Sequence, residues 1–169
     1  TIRWAGGEPF ISNAYLDLWE YIAKLKNKNI KNIIQTNGSY LKKKQDLLVD
    51  FLPNIGSIRI SFDAATPETY HKVRVNGQWN RLIENVKWLR SITDIQISAD
   101  FVVQIDNYKE IPEFILLCKE LGIDHINWQK MWNWGTWNQD DFDQRNVYNS
   151  EHQEYSTLLD ITKKHNIKL

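Results

Sequence analysis

The sequence contains a single cysteine, Cys118, in 169 residues. One thiol excludes an intrachain disulfide, a cysteine-rich zinc site and any iron-sulfur cluster held by three thiolates of this chain. Cys118 lies in the middle of an apolar segment with helical periodicity. We therefore predict that it is a small core residue.

Long apolar runs and an excess of charge are also absent. No segment approaches the ~18 apolar residues of a membrane-spanning helix, and the first residues lack the charged and apolar regions of a signal peptide. We therefore expect a cytoplasmic protein with no membrane partner. The 21 Lys and Arg residues balance 21 Asp and Glu residues. This balance leaves no broad basic surface, so we expect no nucleic-acid partner.

The residues that are present predict an α/β fold. Short β-rich runs alternate with longer segments of helical periodicity, as expected for a parallel sheet with helical crossovers. The predicted strands are residues 1–4, 32–35, 57–62, 94–104 and 123–129, and the predicted helices between them are residues 14–26, 41–52, 68–72, 78–90 and 107–121. In the third strand, isoleucines alternate with Ser57, Arg59 and Ser61, which predicts one apolar and one polar face. The fold class that follows is a partial parallel (β/α) barrel of the TIM type, with about five to six strands.

The last part of the chain has a different character. We divide the chain into residues 1–131, the partial barrel, and residues 132–169, an aromatic loop and a helix over about residues 150–165 that leads out of the barrel. Tryptophans stand at positions 128, 132, 134 and 137. Their rings could stack on adenine or another planar ligand, but tryptophan more often packs in a core or against a neighbouring domain, so we favour packing.

Polar residues and glycines follow the end of each predicted strand. Functional residues of parallel barrels lie on the loops that leave the carboxyl ends of the strands, so we expect these residues to gather along one rim. In chain order they are Gly6, Gly7 and Glu8; Thr36 and Asn37; Ser61 and Asp63; Gln104; and residues 130–134.

The first of these motifs fits a ligand that carries an ammonium group. Gly6 and Gly7 lack side chains, so an ammonium group could reach their backbone carbonyls, and Glu8 adds a carboxylate of opposite charge. The alternative is an ordinary strand-to-helix turn with a glutamate at the start of the helix. The position of the motif among the others favours the ligand site.

Four side chains on the later loops each have two interpretations. Thr36 and Asn37 suit a polar ligand, or they belong to a common Asn-Gly turn. Asp63 could bind sugar hydroxyls or cap the next helix. Arg74 could hold a carboxylate through two parallel hydrogen bonds, or be a solvated cation at a helix end.

Taken in order, these motifs resemble the radical S-adenosylmethionine (SAM) family. The resemblance covers roughly residues 1 to 130, and it is carried by Gly6-Gly7-Glu8-Pro9, Ile34-Gln35-Thr36-Asn37-Gly38, Ile60-Ser61-Phe62-Asp63-Ala64, Tyr70-His71-Lys72-Val73-Arg74 and the stretches 107–111 and 120–123. The remainder is similar to members that continue into a C-terminal domain of the SPASM type with auxiliary clusters.

The resemblance implies SAM and a [4Fe-4S] cluster as cofactors. The family's cluster is held by three cysteines in a C-x3-C-x2-C motif after its first strand, and nothing in this chain corresponds to that motif. We therefore expect the chain to be a fragment that opens at the family's second strand and is inactive by itself. In a complete enzyme, reductive cleavage of SAM gives a 5′-deoxyadenosyl radical that abstracts a substrate hydrogen.

The resemblance also implies roles for the residues of the candidate cofactor site. It assigns the methionine amino group to Gly6, Gly7 and Glu8, the carboxylate or ribose to Ser61 and Arg74, and the adenosine to Gln104 and Trp128, with Thr36, Asn37 and Asp63 as further cofactor-binding candidates.

Two other functions stay open. A barrel enzyme for phosphate or metal chemistry would need a late glycine-rich loop or clustered ligands, and the four histidines show no metal-ligand spacing. We therefore assign no catalytic and no metal-ligating residue. The other alternative is a non-catalytic binding or scaffold module derived from a barrel. The sequence does not identify the substrate, which is a small molecule or a peptide. The exposed edge of the first strand predicts self-association of the chain.

Overall fold

The computed structural model describes residues 1–27 and 29–168 as an open, entirely parallel sheet with helical crossovers. Its strands are β1 (Ile2–Trp4), β2 (Asn32–Thr36), β3 (Ile55–Ser61), β4 (Gln96–Val103) and β5 (His125–Lys130). Their spatial order is the order in the chain, β1-β2-β3-β4-β5. The predicted fold class, an α/β partial parallel barrel, is therefore confirmed.

Seven α-helices accompany this sheet in the described residues. They are α1 (Asn13–Lys24), α2 (Gln45–Phe51), α3 (Pro67–Val73), α4 (Trp79–Ile92), α5 (Ile111–Glu120), α6 (Gln139–Arg145) and α7 (Tyr155–Lys164). Short 3-10 turns at Pro9–Ile11, Lys42–Lys44, Leu52–Asn54 and Tyr108–Glu110 flank three of them, α1, α2 and α5. None of the described helices is both long enough and apolar enough to cross a bilayer.

The helix boundaries differ from the predicted ones where the backbone departs from helical geometry. The helix predicted over residues 41–52 is interrupted at Lys44, whose φ of −112° and ψ of 29° are not helical. The helix predicted from residue 107 begins at Ile111, because Pro112 occupies its first turn and has no backbone N–H to donate. Helix α6 was not predicted. It buries none of its residues, so it shows no apolar periodicity, although Asn138 caps it by accepting a hydrogen bond from the N–H of Asp141.

Strand β3 shows how the sequence separates the two faces of the sheet. Ile58 and Ile60 are fully buried, whereas Arg59 and Ser61, which alternate with them, are half-buried. The predicted alternation is thus confirmed. Each fully buried isoleucine contributes about 1.5–3 kcal/mol relative to an exposed one.

The apolar face carries the core between the sheet and its helices. Trp19 of α1 packs against Trp4 of β1, with ring centroids 5.9 Å apart, and stacks on Phe51 of α2 at 5.5 Å. Phe114 of α5 packs against Phe101 of β4 at 4.6 Å. Helices at both ends of the sheet therefore cover the same face, which leaves the opposite face for the polar side chains.

The residues after β5 return to this core. Val147 and Leu158 are buried in the same hydrophobic cluster, and the backbone N–H of Ile105 donates to the carbonyl of Arg145 over 2.9 Å. The division of the chain at residue 131 stays a prediction. Cys118 is only 2% exposed, which confirms its place in the core.

Candidate functional site

The loop after β1 has an open backbone. Gly6 and Gly7 have φ values of +95° and +60°, a region that residues with a side chain rarely adopt. A Cβ atom placed on either glycine would meet no atom within 4 Å. The two glycines are therefore required by their backbone conformation and not by packing, and the space beside them is accessible to a ligand.

Glu8 ties this loop to the end of β2. Its Oε1 accepts hydrogen bonds from the Thr36 hydroxyl at 2.6 Å and from the backbone N–H of Phe10 at 3.2 Å, and its Oε2 accepts from the backbone N–H of Asn37 at 2.8 Å. A carboxylate has about four acceptor positions, so Glu8 can accept one further hydrogen bond. The Thr36 hydroxyl also accepts from the N–H of Gly38 at 3.0 Å, which makes it a structural group of this turn.

The turn after β2 is anchored from the other side by the core. Asn85 of α4 donates to the carbonyl of Gly38 over 2.7 Å, and the Oδ1 of Asn37 accepts from the N–H of Ser39 at 2.9 Å. The Nδ2 group of Asn37 is the part of this side chain that these bonds leave for a ligand.

Asp63 has a role that neither of its two sequence interpretations includes. Its Oδ1 accepts from the backbone N–H of Val102 in β4 at 2.7 Å, and its Oδ2 accepts from Arg74. The helix cap is supplied instead by Thr66, which accepts from the N–H of Thr69 at 3.3 Å. Asp63 is only 7% exposed and has a φ of +62°. Burial raises the pKa of this carboxyl, and the neighbouring guanidinium opposes that rise.

Arg74 is held by Asp63 and still has donors to offer. Its Nη2 binds the Asp63 carboxylate, whereas its Nε is buried and has no partner among the residues that the structure describes. A buried donor without a partner costs about 1–3 kcal/mol, so a ligand oxygen that accepted from it would recover that loss. Arg74 is therefore a positioned cation and not a freely solvated one.

The remaining predicted site residues divide between the two faces of the sheet. Ile60 pairs with Thr36, so Ser61 and Asn37 follow on neighbouring strands about 4.8 Å apart. Gln104 directly follows β4, where its backbone N–H donates to the Oδ1 of Asn107 at 2.9 Å.

Trp128 does not join them. Its ring lies 5.3 Å from that of Phe101 and 6.0 Å from that of Phe114, on the face covered by helices. Its expected place beside the adenosine stays a prediction, which this packing does not favour. Trp132 and Trp134, in contrast, are 71% and 88% exposed, so they do not pack in the core of the described residues, and their packing against a neighbouring domain stays a prediction.

Sequence reasoning missed a band of polar residues on the uncovered face. Asp100 of β4 is only 3% exposed, and its carboxylate accepts from Arg59 (Nη2 at 2.8 Å and Nε at 3.3 Å), from Asn127 at 2.9 Å and from Gln35 at 3.4 Å. The carbonyl oxygen of the Gln35 side chain in turn accepts from Arg3 at 3.0 Å. We call these five residues the polar band, because each strand from β1 to β5 contributes one of them. The polar alternation in β3 was the only signal of it in the sequence.

The described residues contain no candidate metal site. In residues 1–27 and 29–168, no three His, Cys, Asp or Glu side chains form a group that could hold a metal ion.

Comparison with known proteins places this geometry in a family. A family model described as Radical SAM superfamily matches residues 1–118. The chain belongs to the radical SAM superfamily, whose members use SAM and a [4Fe-4S] cluster.

Curated relatives match most of the chain but less than half of their own length. A probable GTP 3′,8-cyclase of Methanocaldococcus jannaschii is 28% identical over 122 residues, which are 72% of this chain and 39% of the relative. A probable GTP 3′,8-cyclase of Saccharolobus islandicus is 30% identical over 129 residues, 75% of this chain and 40% of the relative. The chain therefore spans about two fifths of the length of these relatives.

Solved structures show the same fold. Streptococcus suis SuiB bound to the precursor peptide SuiA aligns with a TM-score of 0.62 at 18% identity, over 97% of this chain and 36% of SuiB. TYW1 with a lysine-pyruvate adduct bound aligns with a TM-score of 0.58 at 16% identity, over 94% of this chain and 48% of TYW1. Both likenesses concern the fold alone.

Proposed function

We propose that this chain forms the SAM-binding part of an enzyme that cleaves SAM reductively and abstracts a hydrogen atom from a substrate. The observation that carries the proposal is the pair of opposite charges at the strand ends. Glu8 keeps an acceptor position beside the open turn of Gly6 and Gly7, and Arg74 keeps a buried donor without a partner. A zwitterionic amino acid group, such as the methionine part of SAM, matches this pair of charges.

The chain's own residues would bind and orient the cofactor. The backbone of Gly6 and Gly7 with Glu8 would receive the ammonium group, and Arg74, held in place by Asp63, would bind the carboxylate. Ser61 and Gln104 would face the ribose and adenosine, with the Asn37 amide as a further donor. The Trp128 ring has no part in this site, because it is packed on the opposite face of the sheet. When bound next to the cluster, SAM supplies the 5′-deoxyadenosyl radical.

The cluster ligands would come from outside these residues. Cys118 cannot serve as one, because it is buried in α5 and burial raises the pKa of its thiol to about 12. We therefore propose that the chain alone assembles no cluster and is inactive. Anaerobic reconstitution with iron and sulfide should leave the purified chain without iron at cluster stoichiometry, and stoichiometric loading would contradict this proposal.

Calorimetry with SAM tests the binding role. We expect weak binding by the chain, because no iron anchors the ligand. Glu8→Gln and Arg74→Lys should each weaken it about tenfold, or about 1.4 kcal/mol, since the first removes the negative charge and the second removes the Nε donor of the guanidinium. Arg81→Lys is the matched control, because Arg81 is an exposed cation on α4. Circular dichroism should show that all three variants keep the fold.

A non-catalytic binding or scaffold module is the second candidate, favoured by the exposure of Trp132 and Trp134. A folded chain that binds no SAM, and whose affinity does not depend on Glu8 or Arg74, would favour this alternative over the enzyme.

A further inference from the structure

The polar band is unusual for the inside of a barrel. The interior of parallel (β/α) barrels is generally filled by layers of branched apolar side chains. From Ser57 onward in β3 and throughout β4, six of the seven residues that face away from the helices are polar, and the seventh is Val102; the polar ones are Ser57, Arg59, Ser61, Gln96, Ser98 and Asp100. A face with this composition gains little from apolar packing. It is suited to a hydrogen-bonding ligand.

The charges of the band do not balance. Arg59 and Asp100 form an ion pair with Nη2 and Oδ1 2.8 Å apart. Among the residues that the structure describes, the exposed Arg3 side chain binds only the neutral carboxamide of Gln35. One positive charge is therefore left without a carboxylate in the band. A network whose role was only to hold the sheet together would gain nothing from a surplus cation.

Both guanidinium groups are held in place by the band. Gln35 accepts from Arg3 through its Oε1 and donates to Asp100 through its Nε2, so it links Arg3 to the carboxylate that holds Arg59. The Nη1 group of Arg59 makes none of the band's bonds. Two positioned guanidinium groups with free donors match the planar oxygens of a carboxylate or a phosphate.

We propose that Arg3 and Arg59 bind an anionic oxygen group of the substrate on the uncovered face of the sheet. This inference rests on the proposed function, in which Arg74 takes the carboxylate of SAM. A carboxylate or phosphate of the substrate then remains as the partner of the surplus charge. The uncovered face is the substrate side of the site, and its ligand is an organic anion rather than an apolar molecule.

Titration with inorganic phosphate, followed through the arginine side-chain N–H signals in nitrogen-15 NMR at constant ionic strength, tests this inference. Saturable shifts are expected at Arg3 and Arg59. Arg3→Gln should weaken the phosphate affinity about tenfold, the effect of one charge-assisted contact. Arg3 is exposed, so this variant leaves no buried charge without a partner. Arg81→Gln is the matched control and should leave the affinity unchanged. Absence of saturation, or equal losses in the two variants, would overturn the proposal.

A second titration separates the two sources of the anion. Phosphate is added to the chain after SAM has reached saturation by calorimetry. An unchanged phosphate affinity supports a substrate anion, whereas loss of phosphate binding assigns the band to the SAM carboxylate and overturns the inference. If SAM does not bind at all, the proposed function fails, and the first titration still decides whether the band binds an anion.

Discussion

Replacement of Gly38 by alanine should destabilise the chain more than the same replacement at Gly7. Both glycines have a left-handed backbone, with φ values of +77° and +60°, so an alanine costs roughly 1–2 kcal/mol of strain at either position. Their surroundings differ. A Cβ on Gly38 would lie 2.6 Å from Cδ1 of Leu82 and 3.2 Å from Cγ2 of Ile60, whereas a Cβ on Gly7 would meet nothing within 4 Å.

The difference between the two variants is the cost of overpacking. Leu82 and Ile60 are fully buried, so neither can move aside without disturbing the core, and such insertions cost about 1–3 kcal/mol. Gly38→Ala should therefore lower the free energy of unfolding by about 2–5 kcal/mol, and Gly7→Ala by about 1–2 kcal/mol. Urea unfolding followed by circular dichroism measures both values, and an unchanged m-value would show that the denatured state is not affected.

A double-mutant cycle isolates the contact. In a Leu82→Ala background the Cδ1 atom is missing, so the added cost of Gly38→Ala should fall towards that of Gly7→Ala. Equal losses for the two glycine variants in the parent chain, or an added cost that does not depend on Leu82, would refute the reasoning.

Three further predictions concern single groups. Burial raises the pKa of Asp124, but the N–H of Ile97 and the guanidinium of Arg90 lower it by more, so that it lies below 3.8. The stabilisation that the ionised carboxylate provides is therefore present above that value and is lost as the pH falls through the lower pKa of the folded chain. Asp124→Asn should destabilise the chain at pH 7 and cost little in strong acid, as urea unfolding at both pH values would show. Burial raises the pKa of Cys118 to about 12, so a thiol reagent at pH 8 should modify this cysteine slowly in the folded chain and rapidly in urea. Rapid modification of the folded chain would contradict the buried position of Cys118. Within the part of the chain that the structure describes, strand β1 pairs only with β2, so we expect association through its other edge. Ile2→Lys should therefore reduce the mass measured by light scattering, and a parent chain that is already monomeric would contradict this prediction.

Local signals in the sequence were sufficient to predict the framework. The alternation of isoleucine with polar residues in β3 follows from the two-residue period of a strand, and the position of Gly122 at the end of α5 follows from its need for a positive φ, observed as +68°. The place of the candidate site also followed from local signals, because the carboxyl ends of parallel strands share one edge. Helix α6 could not be found in this way, since it buries no residue and therefore has no apolar period.

The partners of the polar side chains were decided by the tertiary structure. Of the two sequence interpretations of Asp63, the helix cap is supplied by Thr66 instead, and Asp63 binds Val102 and Arg74, which are 39 and 11 residues away in the chain. The register of β5 on β4 pairs Trp128 with Phe101 and turns its ring towards the helices.

The sequence by itself thus determined the five strands, six of the seven α-helices in the described residues, and which loops lie together at one edge. Only the folded sheet decided that Arg3, Gln35, Arg59, Asp100 and Asn127 meet in one band. The physical reason is that hydrophobic periodicity acts over a few neighbouring residues, whereas a hydrogen bond between strands depends on their register. That register is set by the packing of the whole sheet against its helices.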